Sequence, residues 1–145
     1  MKNNHVKKLF AAILSVLMLA VVFTACGEAK ETELNFKNEL PSDLLQIFIS
    51  PIDSLTWEDE NLINSAKVYS GSTIRFDFSK FGGEDGGTYD IGTYDVNKMN
   101  YDCYDVVLHI GDNIALRGDA NEAQFIVTHA DGTSDTYTAD VFADE

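Results

Sequence analysis

Chemistry in this chain would have to come from few side chains. Beyond residue 25 the histidines are His109 and His129, and the cysteines are Cys26 and Cys103. The two histidines stand 20 residues apart, with no His or Cys at the short spacings by which zinc sites collect their ligands. No metal is therefore expected of them. A Ser or Cys nucleophile would need a base and an orienting acid, and no nucleophile-elbow pattern accompanies either histidine. No catalytic residue, no enzyme activity and no cofactor is expected, and His129 reads as a surface residue at a strand end beside a turn. Hard oxygen donors are more plentiful. The stretch "SKFGGEDGGTYD" sets Glu84, Asp85 and Asp90 around flexible glycines, a weak set of calcium candidates. Its carboxylates lack the regular spacing of an EF-hand loop, and Gly with Asp is also what tight turns require, so turn chemistry is the favoured reading. A binding face could come from aromatic side chains, of which there are nine Phe, six Tyr and one Trp. Tyr89, Tyr94, Tyr101 and Tyr104 fall in adjacent segments, with Tyr94 and Tyr104 on a common side. That pattern suits a sugar-stacking face or, as the plainer reading, ordinary cross-strand pairing.

The elements that must position these residues are strands. "ELNFKN" puts Leu34 and Phe36 on one face, and "STIRFDFS" alternates Ile74, Phe76 and Phe78 inward with Thr73, Arg75 and Asp77 outward. "LLQIFIS" places Leu45, Ile47 and Ile49 together, with Leu44, Gln46 and Phe48 opposite. "TYDIGTYD" and "YDCYDVVL" read as neighbours joined by a turn near Asn97, and Cys103 there as a small buried apolar residue. "NIALRG", "AQFIVTH" and "TSDTYTADVF" follow, the last two joined by a hairpin at Asp131-Gly132. Helix is expected only in "SLTWEDENLINS", where Thr56 could cap one turn and Trp57 anchor it with Leu62 or Ile63. Seven or eight short strands with Gly/Asp turns and one helical turn predict an all-β, antiparallel β-sandwich, Ig-like or similar, with a small barrel as runner-up.

The remaining stretch is of a different kind. Residues 1–8 carry Lys2, Lys7 and Lys8 and no acid, and an apolar run from Leu9 to Phe23 follows, broken only by Ser15. It is short for a bilayer-spanning helix, which needs about 20 residues, and has the layout of an export signal. Its end, Phe23-Thr24-Ala25-Cys26, resembles the lipobox of bacterial lipoproteins. The resemblance implies cleavage before Cys26, a diacylglyceryl thioether on its sulfur, and stable anchoring by two or three acyl chains. The expected organisation is residues 1–25 as signal peptide, 26–32 as lipidated tether and 33–145 as the β-domain.

Charge narrows the partners. The chain has 10 basic and 24 acidic residues, and the first 25 residues hold three of the basic ones and none of the acidic. So acidic a domain excludes nucleic acid as a partner, because phosphates demand Lys/Arg patches, and disfavours docking on anionic head groups. The block "FISPIDSLTWEDENLI" resembles a motif of small bacterial secreted and lipoprotein β-domains. It is carried here by Ile49-Ser50-Pro51, Trp57 and Leu62-Ile63, with Gly71-Ser72 and Tyr89-Asp90-Ile91 beyond it, over roughly Leu34 to Asp140. It departs from that motif at Glu58. The resemblance implies a compact β-domain and no particular activity. The expectation is a lipid-anchored module on the extracytoplasmic face of the cell membrane, acting as a binding, structural or accessory module. Its partner would be a protein or a glycan; a glycan- or peptide-binding module is the sharper alternative, and a small hydrolase the remoter one.

Overall fold

The computed structural model of the protein describes residues 32–52, 61–64, 66–82 and 84–144. The lipobox with Cys26, and the helical turn expected at Thr56 and Trp57, lie outside the described residues. From Glu31 onward the chain clusters as a single compact unit. Eight strands run in order: β1 Glu33–Glu39, β2 Leu44–Pro51, β3 Thr73–Asp77, β4 Gly87–Asp95, β5 Met99–Leu108, β6 Asn113–Gly118, β7 Ala123–Thr128 and β8 Ser134–Ala143. One short 3₁₀ turn, Phe78–Phe81, follows β3 and is capped by Asp77, whose carboxylate accepts from the Ser79 amide. Among the described residues no helix is long and apolar enough to cross a membrane.

Alternation of side chains dictates what each strand buries. Leu34 and Phe36 of β1, Ile47 and Ile49 of β2, Tyr101 and Cys103 of β5, and Phe125 and Val127 of β7 point into one continuous core. Phe36 stands at its centre, edge-on to Phe76 and Phe125 with ring centroids 6.4 Å from each. Phe78 is buried as expected, but from the 3₁₀ turn and not from β3, edge-on to Tyr89. In β2 a register shift between Leu44 and Gln46 turns Leu44 inward and leaves Leu45 half-buried, the reverse of strict alternation.

The chain is all-β, but the strands do not make the expected antiparallel sandwich. They form one eight-stranded sheet in the order β2-β4-β5-β8-β7-β6-β1-β3, curled into a half-barrel, the shape nearer the runner-up. Two pairings account for the difference. β1 lies parallel to β6, so the sheet is mixed. β8 serves both halves: Ser134 to Ala139 pair with β7, and Asp140 to Ala143 pair with β5. A strand that changes partners midway carries the sheet around a corner.

The two edges are β2 and β3. β2 is closed along part of its length by the Asn61 carboxamide, which accepts from the Ile47 amide and donates to the Leu45 carbonyl, and by a bridge from Val68 to Leu44. At the β4–β5 turn the buried Asp95 carboxylate accepts from Ser42 Oγ (2.6 Å), the Asn97 and Met99 amides and the Tyr101 hydroxyl. Burial pushes its pKa up, and these hydrogen bonds outweigh that and hold it low.

Candidate functional site

Registers on the solvent side of β2, β4, β5 and β8 set two rows of side chains across the sheet. Gln46, Tyr94, Asn100 and Phe142 form one; Phe48, Gly92, Asp102 and Asp140 form the next. Adjacent strands lie about 4.8 Å apart, so each row spans about 14 Å. Tyr104 stands two residues beyond Asp102 on the same face. Gly92 puts no side chain in the second row, and a depression of about 190 Å³ opens there, walled by Phe48, Tyr94, Asn100 and Asp102. Tyr104 is 48% exposed and Phe142 47%, while the Tyr94 hydroxyl reaches Asp144 at 3.4 Å.

Asp102 is the unusual group on this face. Burial pushes its carboxyl up to about 6, Asp140 opposite it adds like-charge repulsion, and a hydrogen bond from Tyr104 opposes both. The sequence pattern had grouped four tyrosines, and the structure divides them. Tyr94 and Tyr104 share the outer face, whereas Tyr89 and Tyr101 are buried. Tyr89 donates to the Glu84 carbonyl at 2.7 Å. Tyr101 donates to Asp95, and burial with that carboxylate beside it raises its hydroxyl to about 12. Sequence offers Asp102 only as one more carboxylate, with Asp95, for a possible cation loop. Phe142 and the gap at Gly92 were not singled out, because which strands are neighbours decides that they meet Asp102.

A second cluster sits at the turns beyond β5 and β7. Asp112, fully buried, closes the β5–β6 turn: its amide donates to the His109 carbonyl, and its Oδ2 accepts from the His109 amide at 2.8 Å. Gly111, at φ +89°, allows that turn and donates to the Glu33 carbonyl. The β7–β8 hairpin brings His129 over it, its Nδ1 3.0 and 3.1 Å from the two Asp112 oxygens and its Nε2 3.2 Å from Asp135 Oδ2. Asp135 and then Asp112 hold the His129 pKa above the usual imidazole value. The His109 ring stands edge-on to His129 with centroids 5.3 Å apart. His129 is thus a strand-end residue beside a turn, as expected, but more enclosed and more engaged than a surface position. The two rings meet carboxylates and each other, and the far side of the His109 ring lies against Gly86. The hydroxyls of Thr128 and Ser134 bond to one another at 2.9 Å.

The calcium candidates do not converge. Asp85 accepts from the Ile110 amide, Asp90 from the Asp105 amide at a bulge in β5, and Glu84 offers its backbone carbonyl to Tyr89. Among the described residues, His109, Asp112 and His129 are the group whose donor atoms gather closely enough for a metal, all within 4.8 Å of one another. Cys103 is buried, its Sγ 3.8 Å from the Thr138 carbonyl, and burial pushes its thiol up to about 12. No family model, curated protein or solved structure matches this chain.

Proposed function

We propose that this protein is a lipid-anchored extracytoplasmic module that binds glycan on the outer face of β2, β4, β5 and β8, and that it carries out no catalysis. The anchor rests on the lipobox-like Phe23-Thr24-Ala25-Cys26. The ligand rests on one observation: the exposed rings of Tyr104 and Phe142 flank the partly desolvated Asp102 on the same face. Aromatic faces cover the apolar side of a sugar ring, and carboxylates accept from its hydroxyls. The acidity of the domain directs this toward a neutral or cationic glycan and away from anionic polymers. A peptide added as a strand is the weaker reading at the β2 edge, because Asn61 and Val68 already occupy the groups such a peptide would use. The architecture is read as an open small barrel with this face on its outside.

Retention of the full-length, detergent-solubilised protein on insoluble cell-wall glycan, with soluble polysaccharides as competitors, tests the reading. Tyr104→Ala and Phe142→Ala should each weaken retention several-fold, equivalent to about 1 kcal/mol per ring. Tyr69→Ala, which removes a ring 62% exposed elsewhere, should leave it unchanged. Equal loss in all three variants, or no retention of the wild type, would remove the glycan reading.

A further inference from the structure

His109, Asp112 and His129 have a geometry that a simple ion pair does not require. His129 satisfies both Asp112 oxygens, and the His109 amide adds a further donor to Oδ2. The buried carboxylate has no need of the His109 ring. That ring is nonetheless turned with Nδ1 toward it, 3.8 Å from Asp112 Oδ2, beyond hydrogen-bond reach. Its other nitrogen lies against Gly86, where a Cβ would come within 3.2 Å of Nε2.

We propose that His109 Nδ1, Asp112 and His129 Nδ1 form a binding site for a divalent transition-metal cation, zinc(II) foremost. Zinc bonds of about 2.0–2.1 Å in a tetrahedron set neighbouring donors about 3.3 Å apart. The observed separations of 3.0 Å (His129 to Asp112) and 3.8 Å (His109 to Asp112) straddle that value. Two imidazoles with one carboxylate select zinc and its neighbours over calcium or magnesium, which prefer oxygen alone. Both supporting arrangements seen in metal sites are in place. Asp135 engages His129 Nε2, the nitrogen facing away from the cluster, and would orient the ring as an outer carboxylate does. The His109 amide fixes Asp112. His109 is about half exposed, so a fourth position stays open to water or to a group on a partner. The site shares no residue with the glycan face and stands or falls independently of it.

The test uses the full-length protein in detergent with His5→Ala as background, so that the N-terminal histidine contributes nothing. Cobalt(II) should bind at one equivalent with the visible absorption of a four-coordinate ion. Zinc(II) should displace it, and calcium or magnesium in hundredfold excess should not. Asp135→Asn should weaken zinc binding by about 10–100-fold, and His109→Ala by at least as much. His109→Ala removes a half-exposed side chain, so its melting in the absence of metal should match the parent, which separates ligation from folding. Absence of saturable zinc binding, wild-type affinity in His109→Ala, or displacement of cobalt by calcium would each overturn the proposal.

Discussion

Replacing Asp102 with Asn should stabilise the protein, by an amount that depends on pH in a defined way. In the folded chain the carboxyl titrates near 6, against 3.8 for the ordinary group, so the native state holds its proton more tightly than the unfolded state does. The stability associated with that proton is fully present below pH 4 and is lost as pH rises through 6. A gap of about two pH units corresponds to about 3 kcal/mol at most. The side chain keeps some contact with water on the open face, which reduces the expected effect to about 1–2 kcal/mol. Asn has nearly the same shape, can still accept from Tyr104 and cannot ionise. The difference between Asp102→Asn and wild type should therefore be near zero at pH 4, grow through pH 6, and level off at about 1–2 kcal/mol above pH 7. Urea denaturation in a series of buffers reads this directly, and a thermal midpoint higher by about 4 °C or more at pH 7 is the equivalent. Acid-sensitive groups away from this face contribute equally to both proteins and cancel in the difference. Relief of the repulsion from Asp140 acts in the same direction as the loss of the Asp102 charge. A constant offset at all pH values, or an Asn variant less stable than wild type at pH 7, would refute the reasoning. Glycan retention should fall in the same variant, because the destabilising carboxylate is the one proposed to meet the ligand.

Three further outcomes are expected. Cys26→Ser should abolish incorporation of labelled palmitate and release the protein from the membrane fraction, and unchanged labelling would dismiss the anchor. Asn38, fully buried, donates to the Ser42 and Val68 carbonyls and accepts from the Leu40 amide. Asn38→Ala should lower stability by about 2–4 kcal/mol, since buried groups left unpaired cost about 1–3 kcal/mol each; a melting curve like that of wild type would contradict this. Cys103 should resist alkylation in the native protein at pH 8 and react fully in guanidinium, because burial raises its thiol to about 12. Rapid native labelling would show that the strand opens.

The strands were legible because a sheet with one buried face writes itself as alternation: Leu34 with Phe36, and Ile74 with Phe76, are local facts. So was the hairpin at Asp131-Gly132, where Gly132 adopts φ +86° and donates to the His129 carbonyl. What escaped is what depends on which strands are neighbours. Nothing in the residues of β1 or β6 announces a parallel pair, and nothing in β8 announces a change of partner at Asp140. Both are choices of the whole sheet. The outer face inherits that limit: Asp102 meets Asp140 only because β8 lies beside β5. The histidines show it most plainly. Spacing along the chain argued against a shared site, but the β6–β7 pairing of Asn113 with Thr128 sets the residues just outside it, Asp112 and His129, side by side. Local irregularity also defeats alternation, as the shift at Leu44 does by exchanging the roles of two leucines.

The place of β8 has a consequence for how the fold comes into being. It follows the other seven strands in sequence, yet lies in the interior of the sheet, between β5 and β7. Until it docks, β5 and β7 present open hydrogen-bonding edges, and the halves on either side are joined by core packing such as Phe78 on Tyr89 and not by the sheet's own ladder. During synthesis from the N-terminus, the two parts can pair internally but the sheet cannot close until β8 has been made. A chain without its last strand carries two partly built pieces of sheet, each with an exposed edge open to wrong partners. Closure of the whole sheet therefore waits on β8, and loss of that strand would part β5 from β7.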